Sequence, residues 1–237
     1  MAAKTTQAEA RSPLSRERVL AAAVELADAN GIESITMRKV GEALGVEAMS
    51  LYNHVANKGD LLDGMVDVVF SEIELPSGDD VGWREAMRVR CASARQVLAR
   101  HPWAIGLMNS STSPGAANLG HHDAVLGVLI GAGLSLPLAG HAFAVLDSYT
   151  YGFALQEGTI PVAGAEQIAD LATEILGVHT ADAYPNMAAF TTGYVLHGDY
   201  DFADEFDWGL DLVLDGLERA VAAERKAGRT ARTGGRS

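Results

Sequence analysis

From Arg16 almost to the end of the chain one pattern repeats: apolar side chains return every three or four positions, and runs of alternating β-branched residues are missing. That period lines one stripe of a helix, whereas a half-buried strand needs a period of two. The chain is therefore expected to be all-α. Its breaks fall at Asn30-Gly31, Gly45, the run Leu75-Pro76-Ser77-Gly78-Asp79-Asp80, Pro102, and Ser110 to Gly115. Between these breaks the pattern predicts helices over 16–29, from Thr36 to Leu44, 47–54, 61–73 and from Trp83 past Leu98. Later helices fall at about 116–132, 136–157, 164–177, 183–197 and 203–225.

Other features bound the class of protein. The 237 residues suffice for one large domain or a small one plus a medium one. Cys91 is the single cysteine and sits in an apolar-periodic stretch, so an inert core thiol in a reducing interior is expected. The first residues, MAAKTTQAEARSPLS, lack the apolar core of a secretion signal, and no apolar run reaches membrane-spanning length. A cytoplasmic location with no membrane partner follows. The net charge of −13 is uneven: residues 1–60 carry −1, residues 61–220 carry −16, and residues 221–237 carry +4. A local basic cluster can still meet phosphates within a Debye length of about 8 Å, so an acidic total does not exclude nucleic acid.

The segment ITMRKVGEALGVEAMSLYNHVANK, from Ile35 to Lys58, has the proportions of a helix-turn-helix: about eight helical residues, a tight turn at Gly45, and a second short helix. In such a unit Val40, Leu44, Leu51 and Val55 face inward. Ala48, Met49, Ser50, Tyr52, Asn53 and His54 remain outward, small or neutral groups suited to base edges, with Asn53 able to pair with adenine. Thr36, Arg38, Lys39 and Lys58 flank them as phosphate contacts. Read from periodicity alone, an ordinary helical hairpin with half-buried Tyr52 and His54 fits as well.

Residues 16–62 closely resemble the N-terminal domain of the tetracycline-repressor family, through VLAAAVELADANGIESITMRKVGEALGVE and especially SLYNHVANKGDLL. The resemblance implies that Thr36 and Arg38 contact DNA from the start of the first of the two helices. It places Ala48, Met49, Ser50, Tyr52, Asn53 and His54 in or beside the major groove, and gives a phosphate to Lys58. Where the founding repressor reads a base with Gln this chain has Ala48, and where that protein has Trp after its Tyr this chain has Asn53. The operator sequence therefore does not transfer.

From residue 63 onward the resemblance to the family's C-terminal domains rests on helix order and on HPWAIGLMNS, HHDAVLGVL and LDSYTYGFALQEG. It implies a helical cage for a small-molecule effector and a homodimer formed by two late helices. The residues add support. The last helix carries one apolar stripe at Phe206, Leu210, Val213, Leu217 and Ala220 and another at Trp208, Leu212 and Gly216, beside an acidic row at Asp207, Asp211, Asp215 and Glu218. Two apolar faces need two partners. The helix from Leu136 to Glu157 is rich in Ala and Gly at its start, which allows close approach, so Ala139 and Phe143 join Trp208, Leu212 and Gly216 as the expected interface.

The effector is expected to meet Trp103, Met108, Asn109, His122, Tyr149, Phe153 and Gln156, aromatic and neutral polar groups on otherwise apolar helices. Plain core packing is the alternative for each. His121 and His122 point about 100° apart on a helix and cannot readily share a metal, so neither a metal nor another cofactor is expected.

The resulting expectation is an all-α regulator. Residues 1–14 form a flexible arm, 15–62 a three-helix DNA-binding domain, 63–226 an effector-binding and dimerisation domain, and 227–237 a disordered basic tail. Its partners are a near-palindromic double-stranded DNA operator, an effector and a second copy. Two other functions compete with this one. An enzyme would lean on Glu157 with His122, but the chain has no phosphate loop, dinucleotide fingerprint or nucleophile elbow. A helical interaction module without DNA would not depend on Ser50, Tyr52, Asn53 and His54.

Overall fold

A computed structural model describes residues 13–75, 82–108, 113–161, 164–178, 183–197 and 200–234. Among them no strand occurs, and no helix is long and apolar enough to cross a membrane. Eleven α-helices follow one another among the described residues: α1 (Arg16–Asn30), α2 (Met37–Leu44), α3 (Ala48–Leu51), α4 (Lys58–Glu72), α5 (Trp83–Arg100), α6 (Ile105–Met108), α7 (Ala116–Gly131), α8 (Leu136–Thr159), α9 (Ala165–Val178), α10 (Pro185–Gly193) and α11 (Glu205–Gly234).

The chain divides into two compact units. The first holds residues 1–75 and 96–124, the second residues 76–95 and 125–237. This differs from the boundary expected after residue 62, because α4 crosses that point without a break and buries Met65, Val66, Val69 and Phe70 beyond it.

In the first unit, each helix begins and ends on local chemistry. The hydroxyl of Ser15 accepts from the Arg18 N–H, that of Thr36 from the Lys39 N–H, and the Asn57 side chain from the Asp60 N–H, so α1, α2 and α4 each start on a side-chain cap. Gly31 (φ 77°) and Gly45 (φ 68°) end α1 and α2 in backbone conformations that side chains disfavour. Helix α1 buries Val19, Leu20, Ala23, Val24 and Ala27 and packs on both α2 and α4. At the α1–α4 contact, a Cβ on Gly64 would stand 2.6 Å from Leu20 Cδ2, so the glycine leaves the Leu20 side chain its present place.

The second unit is built around α8 and α11, with Ala142, Leu146, Phe153, Phe206, Leu210 and Leu214 among its buried core and α5 adding Met87 and Cys91. Burial pushes the Cys91 thiol up, as suits an inert core group. The buried Arg90 pairs with Asp147 at 2.6 Å. Most of the acidic row of α11 is answered from α5: Arg84 meets Asp211, Asp215 and Glu218 at 3.0, 2.7 and 3.2 Å, and Arg88 pairs with Asp211.

One expectation fails at the end of the chain. Residues 227–234, expected to be disordered tail, continue α11 to Gly234. Arg229 and Arg232 place positive charge at this helix C-terminus, where it suits the helix dipole.

Candidate nucleic-acid interface and effector site

The helix-turn-helix forms as the spacing predicts, with a shorter second helix. Regular α3 ends at Leu51, and residues 52–54 continue as turns. Val40, Leu51 and Val55 are buried and Leu44 is half-buried, which leaves the opposite side of α3 outward. Met49 is 75% and Tyr52 45% exposed; Asn53 is exposed, and Ala48, Ser50 and His54 are half-buried. The outward face thus combines an apolar tip, a phenol, an amide and an imidazole, with Lys39 and Lys58 exposed nearby in the chain. Arg38 is exposed and forms an ion pair with Glu42 at 3.2 Å, the loose contact of two solvated chains that a phosphate can replace.

Local sequence does not reveal what holds this face. Arg16, in the first turn of α1, donates to both carboxylate oxygens of Asp60 at 2.6 and 3.0 Å and to the His54 carbonyl at 2.9 Å. Asp60 in turn accepts from the Ala56 N–H at 2.7 Å. One forked cation thereby ties the start of α1, the turn after α3 and the start of α4. Gly41 is the second residue missed. A Cβ there would lie 2.9 Å from the Val46 carbonyl oxygen and 3.2 Å from the Ala48 nitrogen, so the helices can cross this closely only at a glycine.

Arg16 holds the Asp60 carboxyl below its ordinary value of 3.8 by hydrogen bonding, outweighing the effect of burial, and Ala56 adds to the shift. A carboxylate depressed in the fold adds stability that is complete above about pH 4 and is lost as pH falls through the lower, folded value. Asp60→Asn should therefore flatten the acid side of the thermal-midpoint profile below about pH 4. An acid limb that superimposes on that of the unaltered protein contradicts the assignment.

The candidate effector residues divide between the units. In the first unit Trp103 is buried and donates its indole N–H to Asp28 at 2.7 Å, and Met108 is buried. His122 is half-buried, with Nδ1 2.8 Å from the Asn118 carbonyl and its ring 5.6 Å from that of Phe70. In the second unit Tyr149 donates to the Phe206 carbonyl at 2.8 Å, and burial pushes its phenol up to about 12. Phe153 stacks on Phe202 at 4.7 Å, and Gln156 is exposed. Asn109 lies outside the described residues. Cavities are lined by other residues, among them one of about 700 Å³ in the first unit by Arg16, Leu20, Asp60, Asp63, Gly64 and Asp67 among others, and one of about 440 Å³ in the second by Glu157, Ile160, Gln167, Ile168 and Phe202 among others.

Glu157 receives two hydrogen bonds from Arg95, at 2.9 and 2.5 Å, and this pair belongs to the second unit while His122 belongs to the first. Among the described residues no group of three or more His, Cys, Asp and Glu side chains is placed to hold a metal ion.

The expected dimer face needs one correction. Ala139 is fully buried in the core of its own unit and Phe143 packs against that core, so Ala139 has no surface for a second copy. Helix α8 carries apolar groups all round, and its outward side shows Val145 and Leu155 instead, 40% and 53% exposed. On α11 Trp208 is 66% and Leu212 52% exposed, and Gly216 is half-buried.

Comparison with known proteins agrees with this geometry. Residues 19–65 match the family model described as bacterial regulatory proteins, tetR family. Residues 75–221 match the model for the tetracyclin repressor-like C-terminal domain. The chain is 35% identical over 223 residues to the HTH-type transcriptional repressor DrrR1 of Streptomyces coeruleorubidus, covering 90% of this chain and 80% of that protein. It is 30% identical over 208 residues to the class C tetracycline repressor protein of Escherichia coli, covering 87% of this chain and 91% of the other. The crystal structure of ActR, a TetR family protein of Streptomyces coelicolor, in complex with actinorhodin superposes with a TM-score of 0.71 at 25% identity, covering 88% of this chain and 99% of that one.

Proposed function

We propose how this chain, which belongs to the tetracycline-repressor family of bacterial transcriptional regulators, reads DNA and answers a ligand. Ala48, Met49, Ser50, Tyr52, Asn53 and His54 meet base edges in the major groove. Thr36, Arg38 and Lys58 hold the flanking phosphates. A homodimer presents the segment twice, about one helical turn of DNA apart, so the operator is near-palindromic. Trp208, Leu212 and Gly216 of α11, with Val145 and Leu155 of α8, form the dimer face.

The effector binds the body and acts only through its difference in affinity between two spacings of the recognition segments. Helix α4 is the lever. Trp103, Met108, Asn109, His122, Tyr149, Phe153 and Gln156 remain the proposed effector contacts, and an effector that releases the repressor is the expected direction. A relative solved with actinorhodin supports a small-molecule ligand. The regulator acts in the cytoplasm and catalyses no reaction; Glu157, the carboxylate an enzyme reading would use, is occupied by Arg95.

The observation that carries this reading is the outward face of α3 and its turn, open at Met49, Tyr52 and Asn53 and fixed from behind by Arg16 and Asp60. Selection from a random-sequence duplex library with the purified protein should enrich a near-palindrome. Asn53→Ala should then weaken binding to that duplex by at least about 30-fold, because the dimer loses one base contact of roughly 1–3 kcal/mol in each half-site. No enrichment over competitor DNA, or enrichment undiminished by Asn53→Ala together with Tyr52→Ala, sinks the reading.

A further inference from the structure

Helix α1 is held at both ends by ionic contacts. Its first residue, Arg16, grips Asp60 and the His54 carbonyl beneath the recognition segment. Near its other end, Asp28 Oδ1 accepts from the Trp103 indole at 2.7 Å and lies 2.8 Å from His101 Nδ1. The second ring nitrogen of His101 lies 3.2 Å from Oε2 of Glu72, the last residue of α4, and Arg100 donates to that same oxygen at 2.7 Å. His101 is only 6% exposed. The two carboxylates come from two helices, and the groups that answer them all come from residues 100–103.

A neutral imidazole has one N–H, and only the imidazolium has two. With a carboxylate oxygen against each ring nitrogen, both contacts are hydrogen bonds only when both nitrogens carry protons. Burial opposes ionisation of Glu72, yet hydrogen bonds from Arg100 and His101 hold its carboxyl below the ordinary value, so the acceptor is charged at neutral pH. The charged groups facing the ring are Asp28 from α1, Glu72 from α4 and the neighbouring Arg100 of α5.

We propose that His101 is a positioning residue: as imidazolium it clamps the end of α1 to the end of α4 and so sets the angle at which the recognition segment is presented, and loss of its proton weakens operator binding. Leverage makes the effect reach the DNA face. Helix α1 has 15 residues and is about 22 Å long; it meets Gly64 of α4 through Leu20, in its second turn and four residues from Arg16. A shift at Asp28 about that contact moves Arg16 and, through Arg16, the His54 carbonyl. Release is graded, because Asp28 keeps Trp103 and Glu72 keeps Arg100.

The proposal rests on the reading of α3 as the DNA face, and its test separates the two. The probe is the duplex enriched by selection, titrated by fluorescence anisotropy from pH 5.5 to 8.5 at fixed ionic strength, across the range in which histidines change charge. Affinity of the unaltered protein should fall with rising pH by about fivefold more than that of His101→Gln, the low end of ordinary coupling between sites. His54 lies in both proteins and cancels in the comparison. In protein labelled with 5-fluorotryptophan, the Trp103 resonance, assigned by its loss in Trp103→Phe, should move with the same midpoint and stay fixed in His101→Gln.

Asp28→Asn provides a second variant should His101→Gln not fold, and it should also reduce the pH response. Superimposable profiles on a bound duplex, or a Trp103 resonance that moves with no change in affinity, overturn the clamp and leave DNA binding standing. Failure to enrich any duplex overturns the DNA reading and, with it, the clamp's role in binding.

Discussion

Replacing Gly41 with valine is expected to lower operator affinity by at least about 100-fold while leaving the dimer and the helical content in place. The added Cβ meets backbone: the Val46 carbonyl oxygen at 2.9 Å and the Ala48 nitrogen and Cα at 3.2 and 3.3 Å. A side chain in the way can change rotamer, but a helix crossing has to open. The turn is further pinned by the hydrogen bond from the Val46 N–H to the Gly41 carbonyl at 2.9 Å, so α3 must move as a piece. Overpacking of this kind costs about 1–3 kcal/mol, and displaced base contacts cost roughly 1–3 kcal/mol each in both half-sites. Gly41→Ala should fall between valine and the unaltered protein. Anisotropy on the selected duplex, read beside circular dichroism and sedimentation, measures all three quantities; operator binding by Gly41→Val within a few-fold of normal removes Gly41 from this role.

The turn around Gly41 also shows how far sequence alone reaches. Helix starts and stops were legible because their chemistry is local. Ser15, Thr36 and Asn57 bond to backbone three residues on, and Gly31 and Gly45 adopt positive φ where the apolar period ends. The outward face of α3 was legible for the same reason, since the buried positions Val40, Leu51 and Val55 fix it by spacing. Pairings across 44 residues, Arg16 with Asp60, or across 73, Asp28 with His101, leave no trace in a local period.

The misplacement of Ala139 has a different origin. Helix α8 is apolar on most sides, so small residues announce close packing without saying which neighbour they approach, and Ala139 approaches its own core. The expected division after residue 62 followed the end of the recognisable motif, whereas α4 is one continuous helix past it. Residue type alone marks the expected effector residues in the sequence. The structure puts the Tyr149 hydroxyl on a backbone carbonyl and the Trp103 indole on Asp28, which is how buried polar groups are ordinarily satisfied in a core.

Changing Trp208 and Leu212 together to glutamate is expected to give a folded monomer whose operator affinity is lower by at least about 100-fold. Both side chains point away from the residues that α11 gives to its own core, Phe206, Leu210 and Leu214, so the fold does not depend on them. Covering an aromatic side chain removes about 150 Å² or more from water, at about 25 cal/mol per Å² roughly 4 kcal/mol, and two-fold symmetry applies the gain twice. Glutamate at these positions removes that gain and sets like charges against each other across the axis, beside a row of acids that Arg84 and Arg88 already neutralise. Without the dimer the second half-site loses the effective concentration that linkage supplies, typically a factor of about 10²–10⁴. A duplex carrying one half-site should therefore bind the variant and the unaltered protein with similar affinity, while the full operator separates them. Light scattering that still finds a dimer moves the interface away from α11, and a monomer that holds the full operator at undiminished affinity breaks the link between pairing and recognition.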